Sequence, residues 1–202
     1  MYFPIFRGRQ FELLALRECV SRGILSNLII PIVEPVKVSS TYTKTVDSFI
    51  EANKAIAIIR NPQVGSWTKD LKKESNAKIR EQAIGQLKDV NVIPSFYVTP
   101  MLSACIKNAA QNGTDIESLL LLCNNPEYIG DYEEVIGDNT PLYNIIPDKG
   151  DFRRRIRLNR VMCEDHFPKQ TRNIDYLNID TEFFSSDHLY YMDDGYKGFS
   201  DY

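Results

Sequence analysis

The sequence predicts an α/β fold, a TIM-barrel-like barrel of parallel strands, on three observations. Short apolar runs recur along the chain at a spacing of roughly 25 residues, near the short limit for a barrel of eight strand–helix units. Segments of helical periodicity separate most of these runs. The runs end in charged, amide-bearing or proline residues, as expected where strands meet a functional barrel face.

The first unit sets the grammar. Tyr2 to Phe6 is apolar and aromatic, which suits a buried strand, and Arg7-Gly8-Arg9 breaks it. From Gln10, the residues Phe11, Leu13, Leu14, Leu16, Cys19 and Val20 fall at roughly helical spacing, with Gly23 as the stop. Leu28 to Val33 is a near-continuous apolar run, the pattern of a strand covered on both faces, and it ends in Glu34-Pro35-Val36-Lys37. Two apolar strands joined by a helix form a βαβ unit with parallel strands.

The pattern continues. Ser39 to Thr43 offers caps for a helix over 44–53, and Ala55 to Ile59 is a third strand ending in Arg60-Asn61-Pro62. The only tryptophan, Trp67, lies in the following loop, and folding back onto the core is the favoured reading for so large an aromatic. Glu74 to Leu87 is a helix with Ile79, Ala83, Ile84 and Leu87 inward. Strands follow at 92–98, 118–123 and 142–146, with helices at 101–110 and 127–136. Val161 to Cys163 is a short seventh strand and 197–202 the eighth, so the last unit is expected to be incomplete or irregular. Residues 168–195 read as a long loop with one helical turn near Thr181 to Phe184. Prolines at 4, 31 and 94 fall inside three strands and predict irregular ends. All of residues 1–202 read as one domain.

The motifs YFPIFRGRQFELLALRE and PIVEPVK, together with EFFSSDHLYYMDDGYKGFSDY near the other end, resemble the beta-protein family of phages and bacteria. The likeness is strongest to a bacterial subgroup with a YFP-x-x-RGRQFEL opening and a GFSDY segment. It covers most of the chain and implies barrels of alternating strands and helices, complete or incomplete, with no particular reaction attached. Members of the subgroup continue past GFSDY, so the resemblance implies a carboxyl-terminally shortened copy.

Composition narrows the classes. Hydrophobic residues make up 43% of 202, enough for a core, and a net charge of −3 argues against a general nucleic-acid coat. No apolar run approaches the length of a membrane span, and the opening YFPIF, short and with no basic region before it, does not read as a secretory signal. Cys19, Cys105, Cys123 and Cys163 are widely spaced with no CxxC pair, and they read as reduced thiols of a cytoplasmic protein. Nucleophile-elbow, Walker, dinucleotide and HExxH patterns are all absent.

Candidate chemistry is therefore placed by fold position. Arg7, Arg9 and Lys37 form an anion pocket at the mouth, with Arg60 and Asn61 as further ligand-binding residues; pairing with strand-end acids is the equally weighted alternative. Glu164, Asp165 and His166 sit at the seventh strand's end. Glu34, Glu164 and His166 are the candidate catalytic groups. Glu164, Asp165 and Asp201 are the candidate ligands of magnesium or manganese, with Glu34 a further possibility, in support of phosphoester chemistry. Three adjacent residues cannot all face one point, which favours an ordinary acidic loop there. Arg153, Arg154, Arg155, Arg157 and Arg160 could grip phosphate, so nucleic acid stays open as a partner, although a solvated helix face is favoured. His188 reads as a loop histidine with a local bond.

Two functions follow as expectations. One is a barrel whose mouth binds a small anionic, phosphorylated ligand. The other is a non-catalytic interaction protein of a phage or mobile element, dimerising through an open final strand.

Overall fold

The computed structural model describes residues 1–166, 171, 172, 174, 177, 181 and 183–201. Eight strands form one all-parallel sheet in the order of the chain: β1 (Ile5–Phe6), β2 (Ile32–Val33), β3 (Ile56–Ile59), β4 (Val92–Tyr97), β5 (Leu120–Leu122), β6 (Tyr143–Ile146), β7 (Arg160–Cys163) and β8 (Gly198–Ser200). Helices cover the outside: α1 (Gln10–Ser21), α2 (Ser40–Glu51), α3 (Trp67–Asp70), α4 (Ala77–Gln86), α5 (Leu102–Gln111), α6 (Ile129–Ile136), α7 (Gly150–Arg155) and α8 (Asp187–Tyr190). Sequential parallel pairing with one connection per step yields an α/β barrel.

The sheet is nearly closed. Tyr2 bridges Phe199, and three backbone bonds complete the seam: Phe199 N–H to Met1 O at 3.1 Å, Phe3 N–H to Phe199 O at 2.9 Å and Ile5 N–H to Asp201 O at 3.0 Å. Gly198 makes this approach possible, because a Cβ there would stand 2.7 Å from the Phe3 ring. The expected open edge is thus corrected: β8 bonds β7 along one side and the start of the chain on the other.

Strand pleating sorts the core into an inside and an outside. Phe3, Ile5, Ile32, Ala57, Ile59, Ile93, Tyr97, Leu120, Leu122, Ile145 and Val161 fill the barrel interior as one apolar cluster. Their neighbours in sequence, such as Val33, Ile58, Phe96, Leu121 and Met162, face the helices. Each fully buried aliphatic or aromatic side chain contributes about 1.5–3 kcal/mol, so both layers stabilise the fold.

The expected elements appear, with shifted bounds. Pro4 and Pro31 flank β1 and β2, which are only two residues each, yet their carbonyls still accept bonds from Ile32 and Ala57. Pro94 lies inside β4. α2 begins earlier than expected because the Ser39 hydroxyl caps it, accepting from Tyr42 N–H at 3.2 Å. Trp67 is buried, as read, and its ring lies 4.7 Å from that of Tyr42. On α4, Ile84 is exposed and Gln86 is buried, reversing the expected face there, because Gln86 Nε2 donates to Thr43 O at 2.7 Å. Glu182 lies outside the described residues; Thr181, Phe183 and Phe184 are not helical, and the helical turn falls at α8 instead. The expected long loop over 168–195 lies partly outside the described residues.

Candidate functional site

The carboxyl ends of the strands define the barrel mouth, and pleating decides which side chains approach its axis. Ile32 points inward, so Glu34, two residues on, does too; the same alternation carries Ile59 to Asn61 and Ile93 to Tyr97. Glu34 is 2% exposed. Its Oε1 accepts the Gln63 N–H at 2.6 Å and its Oε2 accepts the Tyr97 hydroxyl at 3.2 Å. No cation pairs with this carboxylate among the described residues. Burial of an unpaired charge is costly, and two good donors offset only part of that cost.

Asn61 has a structural role rather than the expected ligand-binding one. Its Nδ2 donates to Tyr97 O at 2.9 Å and its Oδ1 accepts the Tyr97 N–H at 2.8 Å. The side chain thereby prolongs the β3–β4 ladder by one step. Arg60 also departs from expectation. It falls on the outer parity of β3, with its guanidinium 5.7 Å from the Phe96 ring centre, outside the barrel. Strand-end position alone predicted a mouth residue; parity sends it the other way.

Arg7, Arg9 and Lys37 are exposed at the ends of β1 and β2, and no ion pair engages them among the described residues. Arg9 starts α1, where its N–H donates to the Glu12 carboxylate at 2.9 Å. The loop after β3 closes against the loop after β2. Gly65 has φ +81°, and a Cβ there would lie 2.1 Å from Val36 O, which accepts from Ser66 N–H at 2.7 Å. Ser66, Asp70 and Lys73 then brace the turn, through bonds of 2.5 and 2.6 Å to the Asp70 carboxylate.

The opposite side of the mouth is open. Glu164 accepts the Asp148 N–H at 2.7 Å, and Asp165 is exposed. His166 Nε2 lies 2.8 Å from Asp187 Oδ2. Asp201 receives the Tyr2 hydroxyl at 2.7 Å, on the outer side of the seam. Among the described residues no three His, Cys, Asp or Glu side chains gather as a metal site. The expected Glu164, Asp165 and Asp201 set is therefore corrected: pleating turns Asp201 toward Tyr2. Cys163, near Ser200, is held at a pKa of about 11 by burial, so it is protonated at neutral pH and a poor nucleophile. All four cysteines are free thiols.

The arginine cluster is spent locally. Arg153 pairs with Asp148 at 3.2 Å, Arg155 pairs with Glu133, Arg157 Nε donates to Arg154 O at 2.9 Å and Arg160 lies 5.0 Å over the Tyr196 ring. The expected helix face is seen in part: Ile156 is buried, whereas Leu158 is exposed and Arg160 lies on β7. His188 packs beside the Phe199 ring at 6.4 Å. Sequence reasoning missed Tyr97 and Gln63, the two residues that hold Glu34. The alternation Ile93, Ser95, Tyr97 was the available signal for the first; a loop N–H leaves no signal for the second.

No helix is long and apolar enough to cross a membrane among the described residues. No protein family, no curated protein and no solved structure matches the chain.

Proposed function

We propose that the barrel mouth binds a small anionic ligand, phosphorylated or carboxylated, with Arg7, Arg9 and Lys37 supplying positive charge and Glu34 moving a proton. One observation carries this reading. Glu34 is a buried carboxylate at a strand end, without a cation partner among the described residues, beside exposed cations that themselves lack carboxylate partners there. Stability alone gives no reason to keep such a group, whereas proton transfer or ligand recognition does. Free thiols fit a cytoplasmic setting. Kinship with the beta-protein family is part of this proposal and rests on the terminal motifs.

A thermal-shift screen of sugar phosphates, nucleotides and short nucleic acids, with and without magnesium or manganese, tests it. A ligand well above its Kd raises the melting point by mass action, and Arg7→Gln/Lys37→Gln should lose that rise while staying folded, whereas Glu34→Gln should keep it. An unchanged shift in Arg7→Gln/Lys37→Gln would contradict the anion site.

A second reading has its own observation. Phe183, Leu189, Tyr190 and Met192 are all more than half exposed in one short stretch of chain, at 78%, 60%, 54% and 67%. Exposed apolar side chains in such density mark interaction surfaces, which suits a non-catalytic protein of a phage or mobile element that dimerises here. A strictly monomeric species in concentrated light-scattering samples would count against it.

A further inference from the structure

A cavity of about 310 Å³ lies outside the barrel, between α4 and α5. Ile58, Trp67, Leu71, Ala83 and Leu87 give it apolar walls, and Asn108 and Thr114 close the α5 side. It runs on toward Phe96 and Cys105 in one direction and Val92 and Pro94 in the other, through two further cavities of about 300 and 410 Å³ that share its lining residues. The sheet is therefore left uncovered where α4 and α5 diverge.

Two cations line this space, the exposed Lys88 just past α4 and the half-buried Arg60 on the sheet. Arg60 lines both the central cavity and its extension toward Phe96. Its guanidinium lies 5.7 Å from the Phe96 ring centre and makes only a long 3.5 Å bond to the Thr114 hydroxyl. No carboxylate pairs with it among the described residues. Burial among apolar groups lowers its pKa, with Cys105 and Tyr42 as the only nearby polar influences of note. An arginine at such a place presents a planar fork of donors of which the long bond to Thr114 engages one. A cavity of this size, with apolar walls and a few placed polar groups, has the composition of a small-molecule site.

We propose that the α4–α5 groove binds a small carboxylate with an aliphatic or aromatic body, its anionic head on Arg60 and its body against Trp67, Leu71, Ala83 and Leu87. The site is separate from the barrel mouth, because Arg60 lies on the outer face of β3 while Glu34 points to the axis. Charge decides the class: a neutral ligand would leave the guanidinium unmet.

Trp67, the only tryptophan, lines the cavity and reports its occupancy. Octanoate is a suitable probe because it does not absorb where tryptophan does. The expected result is a saturable change in Trp67 emission with octanoate and one weaker by roughly tenfold or more with octanol, the difference a charge-assisted bond makes. Arg60→Gln should erase the preference for octanoate while leaving the melting temperature unchanged or raised, since it removes an uncompensated cation. Asn108→Phe, an exposed change at the groove's rim, should block both ligands without touching Arg60. Arg7→Gln/Lys37→Gln should bind octanoate as the parent does; loss of binding there would place the octanoate at the mouth and overturn a separate site. Equal affinity for octanoate and octanol, or an unchanged preference in Arg60→Gln, would overturn the proposal as well.

Discussion

The two sides of the barrel mouth carry the same residue types to different ends. On the β2–β4 side, Glu34 is enclosed by Tyr97 and the Gln63 backbone, and the loops after β2 and β3 are locked together at Gly65 and Val36. On the β6–β8 side, Glu164, Asp165 and His166 stand half or fully exposed; Glu164 meets the Asp148 N–H, and His166 meets Asp187 and the Phe184 ring. A carboxylate that alternation turns inward must be satisfied by the fold, whereas one on an open loop is satisfied by water. The contrast teaches that pleat parity, more than the presence of acids at strand ends, separates a candidate site from an ordinary polar rim.

Substitutions sharpen that contrast. The largest effect belongs to Gly65→Ala, which forces a left-handed backbone and a backbone clash on a locked loop. It should cost roughly 3 kcal/mol in urea unfolding. Glu34→Ala comes next. It strands two donors and should cost about 2 kcal/mol, while Glu34→Gln, which keeps an oxygen for the Gln63 N–H, should cost about half as much. On the open side, His166→Ala should change stability by less than about 0.5 kcal/mol, because the His166 ring is itself exposed and a partly exposed pair contributes little. A loss above 1 kcal/mol there would break the comparison and make the open side structural.

The smallest effect is a pH dependence on the closed side. Lys73, and then the Ser66 hydroxyl, hold the Asp70 carboxyl below its ordinary pKa. A depressed folded-state pKa means the stabilisation is present above the unfolded value and fades as pH falls through the folded one. Urea midpoints should therefore drop on acidification below about pH 4 by less in Asp70→Asn than in the parent chain. Equal drops would show that the brace does not titrate.

Much of the architecture was legible because each strand is an apolar run and most are separated by helical segments. Alternation within a run was equally legible, but strand-end composition was read without it. That is why Arg60 was placed in the mouth while Tyr97 was passed over. The seam was hidden for another reason: Met1, Phe3 and Ile5 bond residues almost 200 positions away, and no local pattern announces such a pair. The Glu34–Gln63 contact is hidden likewise, since it uses a backbone N–H that any residue supplies. The α4–α5 groove was out of reach, because it is a gap between helices and gaps have no sequence signature.

The central claim is that the mouth takes an anion through Arg7, Arg9 and Lys37. Calorimetric titration of the purified chain with inorganic phosphate, beside the Arg7→Gln/Lys37→Gln variant, tests it most directly. Saturable binding by the parent and its loss in a variant of unchanged melting temperature is the predicted result. Binding of equal strength in both proteins, or none in the parent, would contradict the claim.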